Sequence, residues 1–159
     1  MITAERAKLI RDNFFEFSFS EEEDKIEPNI QLLSTLSTEE QYLLVSEYNW
    51  DDGAEVLNYI ANSDKCDAGT AVMIFWMAEP EFYMQYERKQ DADEWAQDVW
   101  QLLQNVIVRF KTIGYASARL AYGVSHKPLM DALPLSKGIW LLPNTITQGT
   151  NGYVPRIGN

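Results

Sequence analysis

The stretch Asp67-Ala68-Gly69-Thr70-Ala71-Val72-Met73-Ile74-Phe75-Trp76, residues 67–76, decides the fold. Asp67 has the side chain that accepts free backbone N–H groups at a helix start. From Ala71 to Trp76 every position is apolar, so a helix here has no polar face. Such a helix belongs in the centre of a protein, wrapped by others. The apolar run ends at Ala78 and is the longest in the chain. A bilayer span needs about 20 such residues, so no membrane segment is expected.

Amphipathic helices are expected on either side of this centre. Thr3 can cap a first helix whose Ala7, Ile10, Phe14 and Phe17 form one apolar stripe. Pro28 suits the first position of a short helix through Leu36. Ser37-Thr38-Glu39-Glu40 has the form of a capping box opening a helix with Leu43, Leu44 and Tyr48 inward. Asn49-Trp50-Asp51-Asp52-Gly53 breaks that helix, and Asp52 with Glu55 has the spacing of a second box before Val56, Leu57 and Ile60.

Beyond the centre, Pro80 resets the chain for a short helix. Asp91 and Glu94 then have the spacing to open a long one carrying Trp95, Val99, Leu102, Leu103, Val106, Ile107 and Phe110 on its buried side, up to a stop at Gly114. After Gly114 helix breakers dominate, with four of the six prolines and five of the eight glycines in residues 115–159. Ile139-Trp140-Leu141-Leu142, between Gly138 and Pro143, reads as a strand or a buried extended segment. Thr147 to Asn159 reads as loop laid over the helices. The expected fold is therefore all-α: one domain over residues 1–159, a helical bundle or array with an irregular C-terminal section containing at most a short strand.

Charge divides the chain in the same place. The 159 residues carry a formal charge of -11. Residues 1–66 hold 15 acids and 5 bases, a balance of -10; residues 67–100 hold 8 and 2, a balance of -6; residues 101–159 hold 1 and 6, a balance of +5. An acidic body thus precedes a basic, Pro/Gly-richer section from residue 115 on. Nucleic acid is disfavoured as a partner, since binding it means neutralising phosphates with Lys and Arg. Anionic membrane surfaces are disfavoured for the same reason. A basic protein partner is favoured, and charge complementarity would speed the encounter.

No catalytic residue, metal site or cofactor is expected. His126 is the single histidine and lacks a neighbouring nucleophile motif, so it reads as a surface or loop-packing residue. Cys66 is the single cysteine, which rules out an intrachain disulfide and fits a reducing cytoplasm. A helix start could lower its pKa, but the adjacent Asp67 carboxylate opposes thiolate formation. Asp51, Asp52 and Glu55 lack the alternating spacing of a calcium loop. The first residues, Met1 to Lys8, turn charged at once, unlike a signal peptide. Trp76, Trp95 and Trp100 read as core. Trp50, beside two aspartates in a turn, reads as packed, with an exposed interface anchor as its alternative.

Three elements stand together as a pattern: Tyr48-Asn49-Trp50-Asp51-Asp52-Gly53, then Cys66-Asp67-Ala68-Gly69-Thr70-Ala71, then Phe75-Trp76-Met77-Ala78-Glu79-Pro80. They resemble a bacterial family of domains of unknown function marked by YNWDDG, CDxGTA and FWxAxP elements, over residues 38–82. In size and acidity such domains resemble the immunity proteins that neutralise bacterial toxins. By that analogy the expected function is non-enzymatic: binding a cognate basic toxin domain, such as a nuclease, in the cytoplasm. The expected contact residues are Glu21, Glu22, Glu23 and Asp24 with Trp50 and Asp51. The alternative is a small enzyme or ligand-binding domain with a cleft near Trp50, Asp51 and Asp52, and a third is an oligomerisation domain.

Overall fold

A computed structural model describes residues 1–15, 27–124 and 138–159. Phe17, the acidic run Glu21 to Asp24 and His126 lie outside the described residues.

The described fold is mainly α-helical, with short strands in and around an irregular C-terminal section. Strand β1 (Ile2–Thr3) leads into α1 (Ala4–Phe14), capped as expected by the Thr3 side chain, which accepts from the Arg6 N–H at 3.2 Å. Ala7, Ile10 and Phe14 are its buried side. Helix α2 (Ile30–Thr35) starts two residues after Pro28 because Asn29 takes the cap, accepting from the Leu32 N–H at 3.0 Å.

Helix α3 (Thr38–Glu47) opens on a complete capping box: Ser37 accepts from the Glu40 N–H and the Glu40 carboxylate accepts from the Ser37 N–H. That same carboxylate takes a two-pronged bond from Arg6 of α1, at 2.6 and 3.0 Å. Arg11 pairs likewise with Glu47 at the far ends, so helices α1 and α3 are joined by charge at both ends and by apolar packing along their length.

The chain then makes a 3-10 turn at Trp50–Asp52, α4 (Glu55–Ala61), α5 (Ala68–Met77), α6 (Pro80–Tyr83) and two further 3-10 turns at Lys89–Asp91 and Glu94–Ala96. The long α7 (Gln97–Lys111) follows, and Gly114, at φ 69°, ends it by donating its N–H to the Arg109 carbonyl. In the C-terminal section come β2 (Tyr122–Gly123), a turn at Gly138–Trp140, α8 (Asn144–Gln148), β3 (Gly149–Thr150) and β4 (Ile157–Gly158).

Helix α5 is the centre that its sequence demands. Residues Ala68 to Trp76 are all buried, and α3, α4, α6, α7, α8, β2 and β3 pack around them. The buried side chains of these elements form one continuous cluster.

Five expectations need correction. Asp52 does not cap α4, which starts from Ala54 without a side-chain cap. The chain instead tightens after Asn49, whose side chain accepts from the Asp51 N–H, and Gly53 at φ 88° turns it out of the 3-10 turn. Asp91 does not cap α7 either: it pairs with Arg88 at 2.8 and 3.0 Å. Helix α7 then begins only at Gln97, which leaves Trp95 in the preceding turn and 68% exposed. Trp100, Leu102, Leu103, Val106 and Ile107 are buried as expected. Finally, residues 139–142 form no strand: Gly138–Trp140 is a 3-10 turn that sinks Trp140 and leaves Ile139 and Leu141 exposed. The short strands lie elsewhere, two of them within the segment from Thr147 to Asn159 that reads as loop.

Candidate functional site

Each distinctive motif of the sequence lands on a junction. In Cys66-Asp67-Ala68-Gly69-Thr70-Ala71, Asp67 caps α5 by accepting from the Gly69 N–H at 2.8 Å. The same carboxylate also reaches the C-terminal section. It accepts from the Ser117 hydroxyl at 2.6 Å, the Arg119 N–H at 2.8 Å and the Leu120 N–H at 3.2 Å. A fully buried carboxylate thus has four donors, which is what a charge out of water requires.

Beside it the Ala68 N–H donates to the Ser117 carbonyl at 2.8 Å. Gly69 has no side chain because a Cβ there would overlap the Leu120 carbonyl and stand 2.9 Å from Thr150 Oγ1. Thr150 ties the crossing down, donating to the Leu120 carbonyl at 2.7 Å and accepting from the Tyr122 N–H at 3.0 Å. Cys66 is fully buried beneath this crossing, and burial pushes its thiol up to about 12, so it packs as a small apolar residue.

The motif Tyr48-Asn49-Trp50-Asp51-Asp52-Gly53 is built less completely. The Tyr48 hydroxyl is buried and donates to the Gly53 carbonyl at 2.9 Å, closing the turn; burial, reinforced by Asp52 and Glu55, raises the phenol above its usual range. Trp50 packs partly buried against the core, yet its Nε1 finds no acceptor. Asp51 is exposed. Asp52 is half-buried with Oδ2 unbonded, and burial, followed by the nearby Asp51, raises its carboxyl above the ordinary aspartate value.

A cleft among the described residues lies beyond this turn. It has a volume of about 650 Å³ and runs between α2 and α4, lined by Ser34, Glu55, Asn58, Tyr59, Asn62 and Asp64 among others. Trp50, Asp51 and Asp52 do not line it. The polar groups at its rim are largely paired: the Asn58 side-chain carbonyl accepts from Asn105 at 2.8 Å and from Asn62 at 3.2 Å. Among the described residues no group of three or more His, Cys, Asp and Glu side chains is placed to hold a metal.

The tryptophans divide sharply. Trp76 donates its indole N–H to the Ile146 carbonyl at 2.8 Å, and Trp100 and Trp140 both donate to the Tyr86 carbonyl, at 3.1 and 2.8 Å. Trp95, by contrast, stacks on Phe82 at the surface, with ring centroids 5.5 Å apart and planes at 29°. Sequence reasoning missed this pair. Its available signal is the acid-flanked setting of Trp95, with Asp93 and Glu94 before it and Asp98 after it, which sits poorly with burial.

Among the described residues, ion pairs join Arg6 to Glu40, Lys8 to Asp12, Arg11 to Glu47 and Arg88 to Asp91, and no basic residue of the C-terminal section takes part in them. The section is held to the acidic body chiefly by hydrogen bonds and packing, with Arg119 adding a weaker electrostatic pull on Glu39. No helix among the described residues is long and apolar enough to cross a membrane.

Compared with known families, residues 36–110 match the model of a family described as "Domain of unknown function (DUF4274)". The match places this region, from the residue before the α3 capping box almost to the end of α7, with a bacterial-type domain of unknown function. No curated protein and no solved structure matches the chain.

Proposed function

We propose that the protein is a non-enzymatic binding domain for a basic protein partner, most concretely an immunity protein that holds a cognate bacterial toxin domain in the cytoplasm. The observation that supports this is the division of labour among its carboxylates. Asp67 and Glu40 are buried and engaged inside the fold. Asp51, Glu55, Asp64, Glu81, Glu87 and Asp93, spread over the acidic body, all face solvent. A surface of this sign attracts a cationic partner over distances of about a Debye length, roughly 8 Å in physiological salt. A toxin domain that itself binds nucleic acid carries such charge, and carboxylates can occupy the positions its phosphate ligands would take.

The test is co-expression with the product of the adjacent gene. A complex that survives purification, together with rescue of growth from that product's toxicity, is the expected result. Absence of both overturns the proposal. The polar cleft between α2 and α4 favours a second reading, a small-ligand domain. A fragment that binds there and is lost on Asn58→Leu, in a protein that protects against no toxin, would support that reading instead.

A further inference from the structure

Two exposed aromatic rings stand where the expected core residue fails to enter the core. Phe82, from α6, is 38% exposed, and Trp95, from the turn before α7, is 68% exposed. Phe82 stacks on the indole and meets Tyr86 edge-on at 6.1 Å, and the exposure of Trp95 leaves most of the indole in solvent. The platform beneath is tied down by packing and hydrogen bonds. Ala92 and Ala96 are buried, the Ala96 N–H donates to the Asp93 carbonyl at 2.8 Å, and the Gln97 side chain donates to the Ala92 carbonyl at 3.1 Å. A left-handed residue, Glu79 at φ 55°, turns the chain between α5 and α6 and so sets the direction from which Phe82 arrives.

The charge around the pair is predominantly negative. Glu81 precedes Phe82, Asp93 and Glu94 precede Trp95, and Asp98 follows it by about one turn; all four are exposed. Of the two cations in the turn before Trp95, Arg88 is already bonded to Asp91 and Lys89 is half-buried, so the four carboxylates outnumber them around the pair.

We infer that the Trp95–Phe82 stack is an anchor for an arginine side chain of a basic partner protein. This rests on the binding function proposed above and deepens it. A guanidinium lies flat on an indole face and at the same time donates in pairs to carboxylates, and this surface offers both together. Lysine, a compact and strongly hydrated charge, uses the aromatic face less well. A polyanion is repelled. Because the stack already stands in place, little ordering accompanies binding.

The test uses the full chain, labelled for observation of its indole N–H resonances, titrated with poly-arginine, poly-lysine and poly-glutamate peptides of equal length. Three of the other indoles are tied to inward carbonyls and the N–H of the fourth, Trp50, is buried, so the Trp95 signal is the one expected to move. It should move with poly-arginine, less with poly-lysine, and not with poly-glutamate. Trp95→Ala, at a surface position, should leave the fold intact and weaken poly-arginine binding about tenfold, the scale of an aromatic hot spot. Trp95→Phe should restore part of the loss. Equal binding by the parent and Trp95→Ala overturns the anchor, as does the absence of poly-arginine binding. If the adjacent-gene partner still co-purifies with an unchanged Kd for Trp95→Ala, the anchor falls while the wider binding function stands.

Discussion

Asp67 and Asp52 are aspartates at comparable places, each just ahead of a helix, and the fold treats them in opposite ways. Asp67 is sealed from water and has four donors drawn from α5 and from residues 117–120. Asp52 is half in water, caps nothing, and keeps one oxygen unbonded. The difference teaches what converts a local capping signal into a long-range joint. A carboxylate has two oxygens and room for about four donors, while a helix start uses one or two. When a second segment supplies the rest, the aspartate becomes the place where distant parts of the chain are fastened.

Removing the joint should have the largest effect. Asp67→Ala strands four donors and is expected to cost about 3–5 kcal/mol, measured by urea unfolding; a loss under about 1 kcal/mol would break the comparison. Gly69→Ala comes next. Its new methyl group meets the Leu120 backbone most closely, and backbone cannot swing aside, so about 3 kcal/mol, the upper end for overpacking, is expected from the same measurement. Ser117→Ala removes one donor of the four and should cost about 1–2 kcal/mol; a cost equal to that of Asp67→Ala would mean the serine alone makes the joint.

Asp52→Asn should act least, and with the opposite sign. A carboxyl whose pKa is raised in the folded state binds more protons there than when unfolded, so its charge opposes folding above the raised pKa and not below the ordinary value of 3.8. The variant should therefore unfold at a slightly higher temperature at neutral pH, and the gain should vanish on acidification through that window. A destabilised variant at neutral pH would show that Asp52 has a partner.

How much of this is legible in the chain depends on distance along it. The helix pattern of α1, α3 and α5, their caps at Thr3, Ser37 and Asp67, and the stop at Gly114 follow from residues within a few positions of one another. Asp67 shows its capping role for that reason. It conceals the bonds to Ser117, Arg119 and Leu120, because nothing local announces partners some fifty residues away. Asp52–Glu55 and Asp91–Glu94 mislead because spacing is necessary for a capping box and not sufficient: a 3-10 turn moves one helix start and an Arg88 pair consumes the other aspartate. The start of α7 at Gln97, five residues beyond the Ala92 that an Asp91 cap predicts, is what hides Trp95, and with it the candidate anchor.

The two ends of the chain meet in the pair of β1 and β4, which run parallel, Ile2 beside Ile157 and Thr3 beside Gly158. In a parallel pair, residue 1 and residue 159 leave from opposite ends of the ladder. A force applied between them slides one strand along the other and loads its hydrogen bonds, including that from the Ile2 N–H to the Arg156 carbonyl, together rather than one at a time. Held by its termini, the molecule resists in shear through a clasp only two residues long on each side, and the strands must slip before α1 or the C-terminal section bears the load.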